Sequence, residues 1–230
     1  MFPPEMQAWA RRVAESIVSP LARWGVDPNA VTVIGFLLNI VTAAVLATGH
    51  LSTGGALLLL SGLFDLLDGA LARVANNQSD FGAFLDSLLD RYSEATILLA
   101  LIYVFTIRRH TSDVLLVYLV AVGSILISYA RARAESLGLE AKVGIAPRPE
   151  RVLILGAGLL VNGDTTAIAL VILAILTHVT AVQRLLHVWR QTRAKNNEYT
   201  ERQARAKSSE QSERQARIKA TEARERQANP

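Results

Sequence analysis

Long stretches without a formal charge constrain this chain more than any other feature. Residues 30–49, 114–130 and 165–183 comprise 20, 17 and 19 residues, respectively, and contain no Asp, Glu, Lys or Arg. Each stretch approaches the ~20 residues that a helix needs to cross the hydrocarbon core of a bilayer. Because 51% of all residues are also hydrophobic, the sequence predicts an integral membrane protein.

Three further apolar stretches have charged residues at one end. Residues 51–64, 95–107 and 152–163 reach spanning length only when the adjoining charged turn is included. A charged side chain on a spanning helix is tolerated when it faces the bundle interior or a water-filled cavity. We therefore predict an all-α fold, a bundle of six transmembrane helices with a polar site inside it.

The predicted bundle, residues 28–193, is flanked by two segments of different composition. Residues 1–27 are amphipathic and charged and lack the long apolar core of a signal peptide, which predicts an interfacial helix with Trp9 and Trp24 at the headgroup level. Residues 194–230 are rich in Glu, Arg, Gln, Ala and Ser and contain the tetrapeptide ERQA three times. Because this polar charged tail has no apolar face to bury, we expect it to be helical or disordered.

Lys and Arg residues flank the predicted spans unevenly. Only Arg108 and Arg109 fall on one side of the bundle. Nine fall on the other side, namely Arg11, Arg12, Arg23, Lys142, Arg148, Arg151, Arg190, Arg193 and Lys195. By the positive-inside rule, both termini then face the cytoplasm at the cell membrane. The net charge of +4 adds little to this. Because the basic residues lie at the membrane boundaries, lipid headgroups or phosphate groups are favoured as partners over nucleic acid.

Residues 64–91, FDLLDGALARVANNQSDFGAFLDSLLDR, place aspartates in segments that otherwise resemble spans. Asp65 and Asp68 are three positions apart and Asp86 and Asp90 are four apart, so each pair lies on one helix face. A hairpin through NNQSD would bring the two pairs opposite each other near the cytoplasmic side of the membrane. Carboxylates this close repel unless cations neutralise them. Oxygen ligands favour Mg²⁺ or Mn²⁺, and four shared carboxylates suit two ions about 4 Å apart.

Small and basic residues accompany these acids. Gly69 and Gly82 leave room for a ligand beside the aspartates, and Arg73 is placed to bind a phosphate group. Taken singly, these residues also fit helix-packing glycines and an arginine that extends to the headgroups. Taken together with the acids they favour a functional site, because acids inside a membrane are costly without a function.

The segment from Asp65 to Asp90 resembles the signature of the CDP-alcohol phosphotransferases. That signature is D-x2-D-G-x2-A-R-x8-G-x3-D-x3-D, and every fixed position is matched here without a gap. The resemblance implies a membrane enzyme of phospholipid biosynthesis with this six-helix layout. It transfers a phosphatidyl-type group from a CDP-lipid such as CDP-diacylglycerol to an alcohol and releases CMP. The resemblance also implies that the enzyme is a homodimer.

The resemblance further implies roles for individual residues. Two divalent ions, Mg²⁺ or Mn²⁺, are bound by Asp65, Asp68, Asp86 and Asp90, and Asp90 also activates the acceptor hydroxyl. The CDP-lipid is contacted by Asn29, Thr32, Gly69, Arg73 and Ser79. Asn29 and Thr32 fit equally well with a simple helix start at the turn Asp27-Pro28-Asn29, where Asn29 or a neighbour caps the helix.

Residues 128–151, SYARARAESLGLEAKVGIAPRPER, carry the groups that could select the acceptor, namely Ser128, Arg131, Arg133, Arg148 and Arg151. Arginines bind phosphate through paired hydrogen bonds, which predicts an anionic acceptor. The alternative is a set of arginines that contact lipid headgroups and orient the bundle. The segment resembles that of actinobacterial phosphatidylinositol phosphate synthases, with Arg131 where Lys is usual and Pro147 where an acid is usual. This resemblance implies inositol 1-phosphate as the acceptor.

Other readings of the sequence remain open. Glycerol 3-phosphate, as in a phosphatidylglycerophosphate synthase, is the second candidate acceptor, and a neutral alcohol such as serine is the third. A divalent-cation transporter would also place acids on facing spans, but it does not account for the Asp-Gly and Ala-Arg pairs. The chain has no cysteine and its four histidines are scattered, which excludes thiol chemistry and disfavours a histidine metal site.

Overall fold

The computed structural model describes residues 27–74 and 79–228, and within these ranges all regular secondary structure is α-helical. The described helices are α1 (Pro28–Ala47), α2 (Leu51–Val74), α3 (Asp80–Ile107), α4 (Thr111–Ser136), α5 (Arg148–Val161) and α6 (Asp164–Ala228). The all-α prediction is confirmed for this part of the chain. The predicted interfacial helix with Trp9 and Trp24, and the centre of the NNQSD turn, lie outside the described residues.

Three of these helices are long and apolar enough to cross a membrane. They contain the spans Asn29–Ala47, Thr111–Ser136 and Asp164–Gln203, and Leu51–Asp65 is a shorter apolar segment. The three spans coincide with the three uncharged stretches of the sequence. Helix α5 has 14 residues and is therefore about 21 Å long, which is less than the ~30 Å of the hydrocarbon core.

Two polar side chains fix where α1 and α3 begin. The Asp27 carboxylate caps α1 and accepts a hydrogen bond of 3.0 Å from the Asn29 backbone N–H. The Ser79 hydroxyl caps α3 and accepts a bond of 3.0 Å from the Gly82 backbone N–H. Each cap satisfies a backbone donor that would otherwise lack a partner. The cap of α1 is thus the neighbour Asp27 rather than Asn29 itself.

The six described helices pack in a closed ring in the order α1, α2, α5, α6, α4, α3 and back to α1. Their shared core consists of buried aliphatic side chains, including Leu46, Leu101, Val117, Leu159 and Leu170. Many large apolar side chains on the outer surface are exposed, among them Leu99, Ile125 and Leu185. An apolar exterior around an interior that holds polar groups is the arrangement expected of a helical bundle in lipid.

Helices α2 and α5 approach each other closely and run antiparallel. A Cβ atom on Gly55 would lie 2.5 Å from the Leu160 backbone nitrogen, and one on Gly62 would lie 2.9 Å from Val152 Cγ1. Glycines at such contacts allow helix backbones to pack without intervening side chains. The antiparallel register continues to Asp65, which therefore meets the beginning of α5.

The segment between α4 and α5 is held against α6. The Arg184 guanidinium donates hydrogen bonds to the carbonyl oxygens of Val143 at 2.9 Å and Ile127 at 2.6 Å. The Thr180 hydroxyl accepts a bond of 3.2 Å from the Ala146 backbone N–H. Because Ala146 lies two residues before α5, these bonds fix the point at which α5 starts.

Helix α6 continues into the predicted polar tail. Its backbone is helical to Ala228, so residues 194–228 follow the helical alternative. Gln191 still contacts the bundle, because its side-chain amide bonds the backbone oxygen of Glu140 at 2.8 Å. Past that point the described hydrogen bonds join neighbours on α6, such as Thr200 and Asn196.

We predict that truncation after Lys195 leaves the thermal unfolding midpoint in detergent within about 2 °C of the full chain, because the bundle contacts of α6 are retained. The matched variant Gln191→Ala removes both side-chain hydrogen bonds to Glu140. It should lower the midpoint more, by about 2–4 °C for each ~1 kcal/mol of stability lost. Differential scanning fluorimetry of both proteins checks this expectation. A large loss of stability on truncation would show that the tail supports the bundle.

Candidate active site

One guanidinium joins two of the aspartates. Arg148 Nη1 lies 2.7 Å from Asp65 Oδ2 and 2.6 Å from Asp90 Oδ1, so a single nitrogen bridges α2 and α3. All three side chains are about one-fifth exposed. The predicted opposition of the two acidic segments is therefore realised for Asp65 and Asp90, with an arginine between them.

The other residues of the signature surround this bridge. Asp86 is half-buried and lies close enough to Arg148 and Asp65 to interact electrostatically with both. Arg91 Nη1 is 3.6 Å from Asp90 Oδ2, as a second and more exposed cation. The side chains of Asp68 and Arg73, and the surroundings of Gly69, lie outside the described part of the structure.

Arg151 forms an ion pair with a different acid, Glu94. Its guanidinium forms two hydrogen bonds of 2.9 Å with the two carboxylate oxygens of Glu94, one turn beyond Asp90 on α3, and a third of 3.1 Å with the Ala146 carbonyl. The Arg151 side chain is only 5% exposed, so this pair is shielded from water. A buried ion pair needs several hydrogen bonds to offset its desolvation, and Arg151 has three.

The beginnings of α1 and α3 meet at Gly82. A Cβ atom on Gly82 would lie 2.8 Å from Asn29 Oδ1 and 3.0 Å from Ser79 Oγ. The glycine of the signature thus lets the Asn29 and Ser79 side chains, both predicted CDP-lipid contacts, lie together. Thr32 follows on the next turn of α1 and is half-buried.

The predicted acceptor residues are only partly brought together. Arg131 is paired with Glu135 at 2.9 Å on the exposed end of α4, and Arg133 Nη1 is 3.4 Å from Ser136 Oγ on the same helix. Ser128 is half-buried one turn earlier. Arg148 and Arg151 instead lie on α5 against the acids of α2 and α3.

Two charged residues of this region were not identified from the sequence. Glu94 directly precedes the apolar stretch 95–107, and Arg184 directly follows the uncharged stretch 165–183. In the structure, Arg184 is 6% exposed and lies near Arg131 and Arg151. A charge at the edge of an apolar stretch was the available signal for both residues.

A cleft opens beside the bridged aspartates. Its polar walls are formed by Asn39, Ser61, Asp65, Ser93, Glu94, Arg148 and Arg151. Ser61 Oγ is buried and has no hydrogen-bond partner in the described part of the chain. The cleft thus combines carboxylates, guanidinium groups and small hydroxyl groups within an apolar bundle, as expected of a binding site.

The described side chains include no cluster of three or more Asp, Glu or His that is arranged to hold a metal ion. The donor chemistry nevertheless fits a hard cation, because Asp65 and Asp90 already converge on one positively charged nitrogen. Asp86 would add a third set of carboxylate oxygens close by.

Comparisons with known proteins agree with the motif. The family model of the CDP-alcohol phosphatidyltransferases matches residues 26–190. Archaetidylinositol phosphate synthase of Methanothermobacter thermautotrophicus is 40% identical over 189 residues, which cover 80% of this chain and 94% of that protein.

Two crystal structures of Mycobacterium tuberculosis phosphatidylinositol phosphate synthase resemble this fold. The structure with CDP-DAG bound has a TM-score of 0.70 and 33% identity, over 77% of this chain and 94% of that one. The complex with manganese and citrate has a TM-score of 0.70 and 32% identity, over 76% and 88% of the respective chains. The resemblance predicted from the signature is therefore confirmed, and the chain belongs to the CDP-alcohol phosphatidyltransferase family of transferases.

Proposed function

We propose that this protein transfers a phosphatidyl-type group from a CDP-lipid to inositol 1-phosphate and releases CMP. The observation that carries the proposal is the position of Arg148 against the signature aspartates Asp65 and Asp90, with Arg151 against the neighbouring Glu94. Three positions apart at the start of α5, they bring phosphate-binding groups to the acids that face the reacting centre. Two relatives, an archaetidylinositol phosphate synthase and a phosphatidylinositol phosphate synthase, support this acceptor.

The proposed cofactor is a pair of divalent ions, Mg²⁺ or Mn²⁺, held by Asp65, Asp68, Asp86 and Asp90. Manganese in a related structure supports a divalent ion. When bound, the ions would neutralise charge on the diphosphate and on the departing CMP. The carboxylates of this chain supply the oxygen ligands that such ions prefer.

Asp90 is proposed to accept the proton of the acceptor hydroxyl. It lies on α3, one turn beyond Asp86 and one turn before Glu94, at the centre of the charged cluster. A general base must lie within hydrogen-bonding reach of the hydroxyl that attacks the phosphorus atom. Its contact with Arg148 places it beside a group that could bind the phosphate of the acceptor.

The donor is proposed to contact Asn29, Thr32, Gly69, Arg73 and Ser79. The meeting of Asn29 and Ser79 at Gly82 supports a shared pocket at the start of α1 and α3. The acceptor is proposed to contact Ser128, Arg131, Arg133, Arg148 and Arg151. The proximity of Arg131 and Arg151 to Arg184 supports a basic region on this side of the cleft.

We further propose six membrane spans within residues 28–193, with both termini and the site on the cytoplasmic side of the cell membrane. The excess of Lys and Arg at one set of span ends supports this orientation. Under this proposal, the short helix α5 spans together with the polar segment that precedes it. The working unit is proposed to be a homodimer.

An assay with a panel of acceptors tests the proposed function. Purified protein receives labelled CDP-diacylglycerol or its archaetidyl counterpart, together with inositol 1-phosphate, inositol, glycerol 3-phosphate or serine. We expect the highest kcat/KM with inositol 1-phosphate. Unphosphorylated inositol should be at least tenfold poorer, because a charge-assisted hydrogen bond contributes about 1.5–3 kcal/mol. A preference for glycerol 3-phosphate would replace the proposed acceptor, and one for serine or inositol would remove the phosphate site.

We predict that Asp90→Asn lowers kcat by at least 100-fold, since general-base catalysis contributes about 10²–10⁴-fold. Divalent ions should still bind, because three carboxylates remain. Release of CMP and Mn²⁺ binding are measured in parallel on the same preparation. Substantial turnover by the variant at several pH values would exclude Asp90 as the base.

Gly82→Ala is predicted to raise the KM for the CDP-lipid about fivefold, the equivalent of one neutral hydrogen bond of about 1 kcal/mol. The added methyl group displaces the Asn29 side chain, whose oxygen lies 2.8 Å from that position. Ala83→Ser, on the exposed side of the same turn, is the control and should leave the KM unchanged. An unaltered KM in Gly82→Ala would separate Asn29 from donor binding.

A further inference from the structure

Arg148 and Arg151 both lie at the start of α5, but their side chains differ in hydrogen-bond partners. Arg151 forms three hydrogen bonds, two of them to Glu94. Arg148 places Nη1 between Asp65 and Asp90, while its buried Nε has no hydrogen-bond partner in the described part of the chain. A buried N–H without an acceptor is unfavourable, so the position of Arg148 depends on its contact with the two carboxylates.

The two carboxylates that Arg148 bridges are proposed ligands of the divalent ions. An oxygen that is 2.6 or 2.7 Å from a guanidinium nitrogen does not bind a metal ion in the same direction at about 2.0–2.1 Å. The positive charges of the metal and the arginine also repel each other at this separation. For Asp65 Oδ2 and Asp90 Oδ1, contact with Arg148 and coordination of a divalent ion along that direction are therefore mutually exclusive.

We propose that Arg148 is an internal counter-ion that neutralises Asp65 and Asp90 before a divalent ion binds and is displaced when the ion enters. The displaced guanidinium then turns to the phosphate of the acceptor. The first step rests on the proposed metal site at Asp65 and Asp90, and the second step rests in addition on the proposed acceptor. Arg148 thus acts as a positioning residue that links metal binding to acceptor binding.

Two consequences follow from competition for the same oxygens. The arginine weakens metal binding, because the ion must first break two charge-assisted hydrogen bonds. An anion that binds the displaced arginine strengthens metal binding, and by linkage the metal strengthens binding of that anion by the same factor. A guanidinium that served only as packing would produce neither effect.

The test is a titration of the full-length protein in detergent with Mn²⁺, without CDP-lipid, in which free Mn²⁺ is measured by electron paramagnetic resonance. We expect Arg148→Gln and Arg148→Met to bind Mn²⁺ about tenfold more tightly than the unaltered protein, or about 1.4 kcal/mol. Arg202→Gln removes the same charge from an arginine of α6 that is paired with Glu198 and should leave the Mn²⁺ affinity unchanged. Unchanged or weaker Mn²⁺ binding by both Arg148 variants would overturn the proposal.

Stability provides a second readout of the same displacement. In EDTA, both Arg148 variants should unfold at a lower temperature than the unaltered protein, because Asp65 and Asp90 lose the cation that bridges them. Mn²⁺ should restore most of the difference. Variants that fold only in the presence of Mn²⁺ would give the strongest form of this expected result. Variants with the same unfolding temperature with and without Mn²⁺ would contradict it.

Inositol 1-phosphate tests the second step. It should increase the Mn²⁺ affinity of the unaltered protein about threefold or more and have little effect on Arg148→Gln. Equal effects on both proteins would show that Arg148 does not carry the coupling. An error in the proposed acceptor appears in the acceptor panel, whereas an error in the counter-ion role appears in the Mn²⁺ titration, so the two failures are distinguishable.

Discussion

The need to neutralise carboxylates inside an apolar bundle is the constraint on which the rest of this structure depends. Asp65, Asp86 and Asp90 converge in a region bounded by aliphatic side chains, where an uncompensated charge is costly. Arg148 lies between Asp65 and Asp90 and compensates part of that charge. The arginine therefore lowers the cost of holding these acids inside the bundle.

Backbone packing brings the arginine to the acids. Helix α5 lies against α2 at glycine contacts, which set an antiparallel register that ends with Arg148 beside Asp65. Hydrogen bonds from Arg184 and Thr180 fix the segment that leads into α5. The site is thus assembled by contacts that lie partly outside the signature, so substitutions in these contacts should affect the chemistry indirectly.

The ion pair between Arg151 and Glu94 limits which arginine can bind the aspartates. Glu94 holds Arg151 with two bonds, so Arg151 is not a ready substitute for Arg148 at the aspartates. A protein is strongly destabilised when one partner of a buried ion pair is left alone. Arg151 is therefore firmly fixed beside the cleft. In the proposed displacement, Arg148 changes partners while Arg151, three positions later, stays bound to Glu94 at the wall of the cleft.

The sequence by itself determined the helical class, the three uncharged spans and the family, since these depend on local composition and on eight fixed residues at fixed spacing. It also predicted that the acids on α2 and α3 would lie opposite each other. It did not reveal Glu94 or Arg184, because a charge at the edge of a span looks the same whether it faces headgroups or the bundle interior. Only the tertiary structure decided that Arg148 binds Asp65, 83 positions away, and that Arg151 binds Glu94, 57 positions away. Helix rotation and packing select such pairs of long side chains, and neither is encoded in the spacing of residues along one segment.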